Sequence, residues 1–366
     1  MFRMKKSRLT TLDKTWSVAR WVSNSARRST LLSLLVVVVF GGCGSDSLSL
    51  VQLGGQTMGT TYHVSYGEPD SVASPESIQV AIDSALVALN ASVSTYIDSS
   101  IISVINASSD TTVWHPVDIH FSTIFVASKR IYTDTKGAFN PAIGPLVRAW
   151  GFGPVDTSSI PDSAAVDSLL ALVDFESFEL DSTLAFVRKS NPGANLDFSA
   201  IAKGYGVDVV AELLAAHGIS DYFVEIGGEV RTQGQHPAGR PWKVGIEKPA
   251  VDAMSEQETQ EIVPMINRSM ATSGNYRNYH EVEGRRYAHI IDPTTGYSRS
   301  SSLLSVSVIA DNCMTADAYA TAFMVMGEEG ARAFVASRPG LEAFFILGTE
   351  SGEFAETRST GFPYGE

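Results

Sequence analysis

Cysteine, basic charge and long apolar runs are all scarce in this chain of 366 residues. The two cysteines, Cys43 and Cys313, are too few for a disulfide framework or a cysteine-rich metal site. Lysine and arginine number 27 against 40 acidic residues, and the formal net charge is −13. This excludes nucleic acid as a bulk partner, because phosphate binding needs a basic surface.

Two motifs are also missing. Zinc is disfavoured because no histidine shows H-E-x-x-H spacing. A Rossmann dinucleotide site is disfavoured because Gly204-Tyr205-Gly206 lacks the third glycine of the fingerprint.

The first 42 residues differ in charge from the rest. They hold eight Lys or Arg and one acid, a charge of +7, so the remainder has −20. The apolar run at 31–40 (LLSLLVVVVF) has about half the length of a membrane span and fits a secretory signal. Gly41-Gly42-Cys43 resembles a bacterial lipobox, in which the cysteine is lipidated. We predict a lipoprotein signal peptide at 1–42 and a tether at 43–54; the alternatives are an uncleaved anchor, or an ordinary signal with a coincidental cysteine.

The remaining chain has enough apolar residues for a packed core, since 44% of the sequence is hydrophobic and 18% is charged. Strands and helices mix without strict βαβ alternation, which predicts an α+β fold of mixed layers with a single mature domain at 55–366. Periodicity predicts strands at 60–66, 222–226, 230–233, 242–247, 270–273, 279–283, 286–290, 303–309 and 341–347, helices at 75–93, 120–136, 162–172, 200–217, 315–326 and 328–337, and a hairpin of 182–188 with 194–198.

One segment places an acidic residue directly before a helix. Residues 196–206 read LDFSAIAKGYG, so a strand that ends at Asp197 leads into a helix beginning at Ala200. A helix N-terminus presents free N–H groups and a positive dipole end. A cation in that first turn, Lys203, is unfavourable unless an anion lies beside it. The pattern indicates a phosphate site; the alternative is an ordinary first turn with an exposed lysine.

A second helix places a carboxylate and a hydroxyl on one face. Asp317 and Thr321 are four residues apart among small and apolar neighbours, and a buried carboxylate needs a partner. The pair suits a hard divalent cation that keeps its phosphate ligands. Alternatively, Asp317 caps the helix or pairs with an arginine, and Thr321 bonds back to its own helix. His289, which precedes the turn at 292–296, is a further candidate because histidine exchanges protons near neutral pH.

Seven motifs in order make the chain similar to the FAD:protein FMN transferase (ApbE) family over roughly residues 55–348. No single motif is decisive, and their number and order give the resemblance its specificity. They are MGTTY at 58–62, GAFNPAIGPLVRAWGFGP at 137–154, LDFSAIAKGYGVD at 196–208, DYFVEIGGEVRTQG at 221–234, ATSGNYRNY at 271–279, YAHIIDPTTG at 287–296 and CMTADAYATAF at 313–323.

The resemblance implies an α+β fold of the T-fold type, FAD as substrate and a magnesium ion, Mg²⁺. Members of the family attach FMN through a phosphoester to Thr or Ser of flavoprotein subunits in exported electron-transport complexes, and release AMP. Many members are periplasmic lipoproteins. For this chain the resemblance therefore implies export and a lipid anchor at Cys43 on the periplasmic side of a bacterial membrane.

The resemblance also implies individual site residues. His289 matches the histidine of the family's H-x-I-D-P segment and is the candidate base, with Asp317 as the alternative. Asn140 and Glu225 depart from the family, which commonly has Asp and Asn there. The implied metal ligands are Asp317, Thr321 and the backbone oxygen of Ala200; the implied FAD contacts are Met58, Tyr96, Ala138, Phe139, Asn140, Asp197, Lys203 and Ile291.

Two other functions remain open from the sequence. An exported FAD pyrophosphatase would use water in place of the protein hydroxyl and give free FMN and AMP. A flavin-binding lipoprotein would hold FAD without chemistry. The presence of both Asp317 and Thr321 favours catalysis over storage.

Overall fold

Helices and strands alternate irregularly along the chain, as predicted. The computed structural model describes residues 49–68, 73–153, 160–249, 259–275, 279–282, 285–299, 301–349, 351 and 353–364. The predicted signal peptide at 1–42 lies outside these residues. The helices are α1 (Pro75–Val93), α2 (Ile101–Ala107), α3 (Ile119–Asp134), α4 (Gly144–Ala149), α5 (Ser163–Leu170), α6 (Ala202–Ala216) and α7 (Cys313–Ala336). In the described part of the chain, no helix combines the length and the apolar character needed to span a bilayer.

An antiparallel sheet of eight strands forms the centre of the fold, in the order β1-β2-β6-β7-β10-β13-β14-β15. A tight turn joins β1 to β2, and both of its residues, Met58 and Gly59, have positive φ, as two-residue hairpins of this type require. The strands are β1 (Ser49–Thr57), β2 (Thr60–Glu68), β3 (His115–Pro116), β4 (Phe178–Leu180), β5 (Phe186–Lys189), β6 (Tyr222–Ile226), β7 (Glu229–Gln233), β8 (Trp242–Glu247), β9 (Thr259–Met265), β10 (Ser269–Gly274), β11 (Tyr279–Val282), β12 (Arg285–Ala288), β13 (Leu303–Ala310), β14 (Glu342–Gly348) and β15 (Phe354–Arg358).

The sheet is covered on both faces, which explains why its central strands lack a polar side. In β14, the neighbours Phe344 and Phe345 are both buried although successive side chains point to opposite faces. Phe345 packs with the core against α3 and α7, whereas Phe344 packs with Val244 and Val263 of the β8–β9 hairpin. A separate cluster joins α1 and α6 to β2 and β6. The mixed layers predicted from the sequence are confirmed, in a single compact unit that spans 47–366.

Several boundaries confirm the sequence rules behind them. Helix α1 begins at Pro75 because Ser74 Oγ accepts a hydrogen bond from the amide of Ser77, and it ends at the predicted Val93. Helix α6 ends before Gly218, which adopts φ +81°. The two helices predicted at 315–326 and 328–337 form one element, α7, that is interrupted at Gly327 (φ 76°, ψ 171°).

The hairpin predicted from 182–188 and 194–198 is wrong. Strand β5 pairs instead with β3 and β4, and residues 194–198 run as an extended loop with one isolated bridge, from Asn195 to Ile143. A side chain takes the place of a partner strand, because Asn106 accepts from the amide of Leu196 (2.7 Å) and donates to its carbonyl (2.8 Å). The buried ammonium of Lys189 ties this loop to α2, because it donates to the carbonyl oxygens of Pro192 and Ala194 and to that of Asn106 in α2, at 2.9–3.2 Å.

Other elements escaped the sequence analysis. Strand β1 begins at Ser49 and pairs with β2 along its whole length, so it shares residues 49–54 with the predicted tether. Helix α2 and strands β9 and β15 were also not predicted. Strand β9 pairs with β8 to cover one face of the sheet, and β15 adds an edge strand beside β14.

Helices α6 and α7 make direct backbone contact at Gly204. A Cβ atom there would lie 2.4 Å from the carbonyl oxygen of Cys313 and 2.8 Å from Cβ of Asp317. Both distances are far below van der Waals contact, so only glycine permits this approach. In the Gly204-Tyr205-Gly206 segment, which lacks the third glycine of a dinucleotide fingerprint, Gly204 therefore allows two helices to pack closely.

The first prediction follows from this contact. Gly204→Ala should lower the free energy of unfolding by about 1–3 kcal/mol, because backbone atoms must move to admit the methyl group. Gly330→Ala, in the second half of α7, is the control: its Cβ would lie 3.4 Å from the nearest atom. It should raise stability by about 0.5–1 kcal/mol, since alanine suits a helix better. Urea unfolding followed by circular dichroism measures both; equal effects would contradict the close contact.

Candidate active site

A cavity of about 1410 Å³ opens between the β6–β7 turn, the starts of α6 and α7, and the loops that follow α1 and α3. Its volume exceeds that of ordinary small-molecule pockets, so it has room for a ligand of dinucleotide size. All the residues that the sequence analysis assigned to a site line this one cavity: Met58, Tyr96, Ala138, Phe139, Asn140, Asp197, Ala200, Lys203, His289, Ile291, Asp317 and Thr321.

One wall combines two buried carboxylates and a lysine. Lys203 Nζ lies 2.5 Å from Oε1 of Glu229, the first residue of β7. Asp317 Oδ2 accepts a hydrogen bond from the amide of Gly204 at 2.9 Å. Asp317 is 4% exposed and Glu229 is 2% exposed. The lysine predicted to need an anion in its helix turn therefore has a protein carboxylate as its partner, while still lining the cavity.

Burial sets the protonation behaviour of this wall. It raises the pKa of Glu229, and the attraction of the Lys203 ammonium opposes that rise. It also raises the pKa of Asp317, again against Lys203 and the amide of Gly204. Burial alone would lower the pKa of Lys203, but the charges of Glu229 and Asp317 raise it above its ordinary value. The lysine therefore keeps its positive charge because the carboxylates surround it.

The helix start beside Asp317 is tied to α6 by a second acid. Asp208 accepts from the amides of Cys313 (3.0 Å) and Met314 (2.8 Å) and pairs with Arg231 at 2.8 Å. Burial raises the pKa of Asp208, while the two amides and Arg231 oppose that rise. Asp208 thus fixes the first turn of α7 against α6, one turn before Asp317.

The residues assigned to a metal ion fit a magnesium site that relies on few protein groups. Asp317 Oδ1 accepts no hydrogen bond from the part of the chain that the structure describes, so it is available as a ligand. Thr321 Oγ1 lies 3.2 Å from Ser273 Oγ, and Ala200 lines the same cavity. Across the described ranges, no three His, Cys, Asp or Glu side chains converge as a metal cluster. One carboxylate with hydroxyl and carbonyl oxygens is what Mg²⁺ uses when phosphates complete its shell.

Another part of the cavity lining is formed by loops whose polar groups make hydrogen bonds within the loops themselves. Asn140 Oδ1 accepts from the amide of Ala142 at 2.9 Å, and Asp197 Oδ1 accepts from that of Ser199 at 2.8 Å. The amide of Asp197 in turn donates to Pro141 O at 2.7 Å, which joins the two loops. Both side chains line the cavity with a hydrogen bond already made: the one side-chain oxygen of Asn140 is in use, and so is one of the two carboxylate oxygens of Asp197.

Aromatic and apolar groups complete the lining. Tyr96 is 65% exposed, and its Oη donates to Phe152 O at 3.3 Å. The ring of Phe152 packs edge-on against His289, with centroids 6.3 Å apart. Ile291 is buried beside Leu146 in a small cluster. These side chains give the cavity a broad apolar surface suited to a planar ring system.

Sequence reasoning missed Glu229. The signal was the Gly227-Gly228 pair, which predicts a tight turn, followed at once by an acid. Nothing in the sequence indicated that this acid points inward. Glu225 supports the same turn, because its Oε1 accepts from the amide of Gly228 at 2.6 Å and its Oε2 lies 2.8 Å from His63 Nδ1.

The comparison with known proteins agrees with this geometry. The sequence profile of the ApbE family matches residues 58–345. The FAD:protein FMN transferase of Vibrio cholerae is 38% identical over 338 residues, 92% of this chain and 98% of that protein. The protein of the same name from Haemophilus influenzae is 34% identical over 338 residues, 91% of this chain and 96% of that protein.

Solved structures lead to the same family. The flavin transferase ApbE from Vibrio cholerae superposes with a TM-score of 0.78 at 38% identity, over 86% of this chain and 98% of that chain. The apo form of the flavinyl transferase ApbE from Pseudomonas stutzeri superposes with a TM-score of 0.76 at 33% identity, over 86% and 95%. The chain belongs to the ApbE family.

A second prediction concerns the tie between α6 and α7. Asp208→Asn should lower the free energy of unfolding by about 3 kcal/mol or more, because Arg231 loses its buried partner. Glu179→Gln is the control: it removes the same charge from the exposed pair with Arg188 and should change stability by about 1 kcal/mol or less. Thermal and urea unfolding of both variants test this. Similar losses in the two would contradict an anchoring role for Asp208.

Proposed function

We propose that this chain transfers FMN from FAD to a Thr or Ser hydroxyl of an acceptor flavoprotein and releases AMP. One observation carries the proposal: every residue that the family resemblance assigns to FAD or metal lines a single cavity of dinucleotide size. The relatives at 34–38% identity bear the name FAD:protein FMN transferase, and each is covered almost completely by this chain. We propose further that the acceptor is a subunit of an exported electron-transport complex.

The chemistry balances as a phosphoryl transfer. The acceptor hydroxyl oxygen forms a bond to the FMN-side phosphorus while the bond from that phosphorus to the bridging oxygen breaks. AMP leaves with the bridging oxygen, and the hydroxyl proton passes to a base. The pyrophosphate is proposed to bind at the wall that carries Lys203 and Asp317, since catalysis here depends on neutralising charge that develops on phosphate oxygens.

Asp317, Thr321 and the carbonyl oxygen of Ala200 would hold Mg²⁺. A bound Mg²⁺ would withdraw charge from the phosphate oxygens and favour loss of AMP. Lys203 would bind a further phosphate oxygen through its ammonium. His289, on the same cavity, is proposed to accept the hydroxyl proton; Asp317 is the less suitable base, since metal coordination makes a carboxylate less basic.

We also propose that the protein is exported and held to the periplasmic side of a bacterial membrane by a lipid on Cys43. The basic start, the apolar run at 31–40 and Gly41-Gly42 before the cysteine support this. The acceptor would then be met at the membrane surface.

The third prediction tests the activity and its metal site together. Incubation with FAD, Mg²⁺ and a Thr-containing acceptor peptide should add the mass of FMN less one water to the peptide and release one AMP. Asp317→Ala should slow this on the order of a thousandfold or more, because it removes the one charged ligand that the protein is proposed to give the ion. Mass spectrometry of the peptide and chromatography of AMP measure both products.

The matched control is Asp311→Ala, which removes an exposed carboxylate just before the same helix. It should leave transfer near the wild-type rate. If Asp317→Ala transfers FMN at that rate with the same Mg²⁺ dependence, the metal assignment is wrong. If the wild-type protein releases FMN and AMP but never modifies the peptide, water is the acceptor and the protein is a pyrophosphatase.

A fourth prediction concerns the anchor. Wild-type protein expressed in a bacterial host should sediment with membranes and have a lipid-modified N-terminus at Cys43. Cys43→Ala should remain unlipidated, either unprocessed or released. Cys313→Ala is the control, because that buried thiol lies within the folded unit and should not affect processing. An unlipidated wild-type N-terminus with unchanged fractionation of Cys43→Ala would contradict the proposal.

A further inference from the structure

Glu229 is the most deeply buried charged group of the cavity wall, and neither the family resemblance nor the mechanism above gives it a task. Its Oε1 contacts Lys203 Nζ at 2.5 Å. Its Oε2 is buried and has no hydrogen-bond partner in the described residues. An unsatisfied buried carboxylate oxygen is costly, so a structural reason alone would favour an apolar residue here.

Strand geometry explains how an acid comes to face inward at this point. Gly227, at φ +60°, turns the chain where a Cβ atom would lie 2.8 Å from Thr60. In β7, Val230 packs on the face covered by β8 and β9, so Glu229 faces the opposite side, towards α6. The first turn of α6 supplies Lys203 on that side.

The pair is asymmetric with respect to the cavity. A third of the Lys203 side chain is exposed, against 2% for Glu229. An ammonium has three N–H donors, and Glu229 uses one of them. The carboxylate is therefore the buried partner of the pair, and the other two donors of the ammonium have no hydrogen-bond partner within the described residues. This arrangement differs from a surface ion pair, in which both partners face water.

We propose that Glu229 is a positioning residue for the flavin transfer proposed above: it holds the Lys203 ammonium against the cavity wall with two N–H donors directed at an anionic group of FAD. The proposal rests on the proposed function for its substrate. Glu229 does not touch FAD; it acts through Lys203. The charge of Glu229 also offsets the desolvation that would otherwise favour a neutral lysine.

The fifth prediction tests this role with a double-mutant cycle. Glu229→Gln keeps the shape and removes the charge, and it should weaken FAD binding and raise the KM for FAD roughly ten- to a hundredfold. Lys203→Met should weaken binding at least as much. In the double variant Lys203→Met/Glu229→Gln, FAD affinity should equal that of Lys203→Met alone, because Glu229 has nothing left to position. Fluorescence titration of FAD measures all four proteins.

Stability separates this role from simple packing. Lys203→Met leaves a buried, unpaired carboxylate and should lower the melting temperature, whereas the double variant should regain much of that loss. If Glu229→Gln weakens FAD binding equally with and without Lys203, Glu229 acts on its own and the proposal fails. If Glu229→Gln binds FAD like the wild type, it also fails.

The control is the exposed pair Lys129–Glu176, which does not line the cavity. Lys129→Met and Glu176→Gln, alone and together, should leave FAD affinity and activity unchanged. Because the cycle measures FAD affinity and not FMN transfer, its outcome does not depend on the proposed transferase activity. A wild-type protein that binds FAD but transfers no FMN would overturn the function, while the cycle would still decide the role of Glu229.

Discussion

The amide of Gly204 donates a hydrogen bond to Oδ2 of Asp317, and this contact sets the spacing of the two helices behind the cavity. It exists because glycine lets the backbone of α6 meet the backbone of α7. Asp208 adds a second tie by accepting the first amides of α7. With both in place, Lys203 of one helix and Asp317 of the other lie on the same wall. If the two helices lay further apart, Asp317, the proposed ligand of Mg²⁺, and Lys203, the proposed phosphate contact, would be too far apart to act on one pyrophosphate.

The cavity is assembled from segments far apart in sequence, and each is stabilised locally before any ligand is bound. The turn at Met58 and Gly59, the loop tie from Asp197 to Pro141, and the Glu225 contact to Gly228 all fix backbone next to open space. Hydrogen bonds with Lys189 and Asn106 stabilise the long loop that precedes α6. A preorganised wall of this kind lets the energy of ligand binding go into orienting the reacting groups.

Sequence patterns predicted the fold wherever a local rule decides the structure. Helix α1 follows from its cap and its apolar period, and the break in α7 follows from Gly327. The hairpin prediction for 194–198 failed because Asn106, ninety positions before Leu196, takes the place of a partner strand. Glu229 was missed for the same kind of reason: its inward direction and its contact with Lys203 depend on packing between β7 and α6. The residues assigned from the family motifs, by contrast, all line one cavity, because motifs in the same order indicate a shared fold.

The interruption at Gly327 divides the macrodipole of α7. The first half ends where Arg299 donates to the carbonyl oxygen of Val325, and it begins where Asp208 accepts two amides. An anion thus stands at the positive end of this half-helix and a cation at its negative end. Asp208 is buried, so salt screens its charge less than it would at the surface, whereas Arg299 is exposed. The helix dipole that acts at Asp317 is therefore that of the fourteen residues from Cys313 to Met326, and not that of the whole of α7.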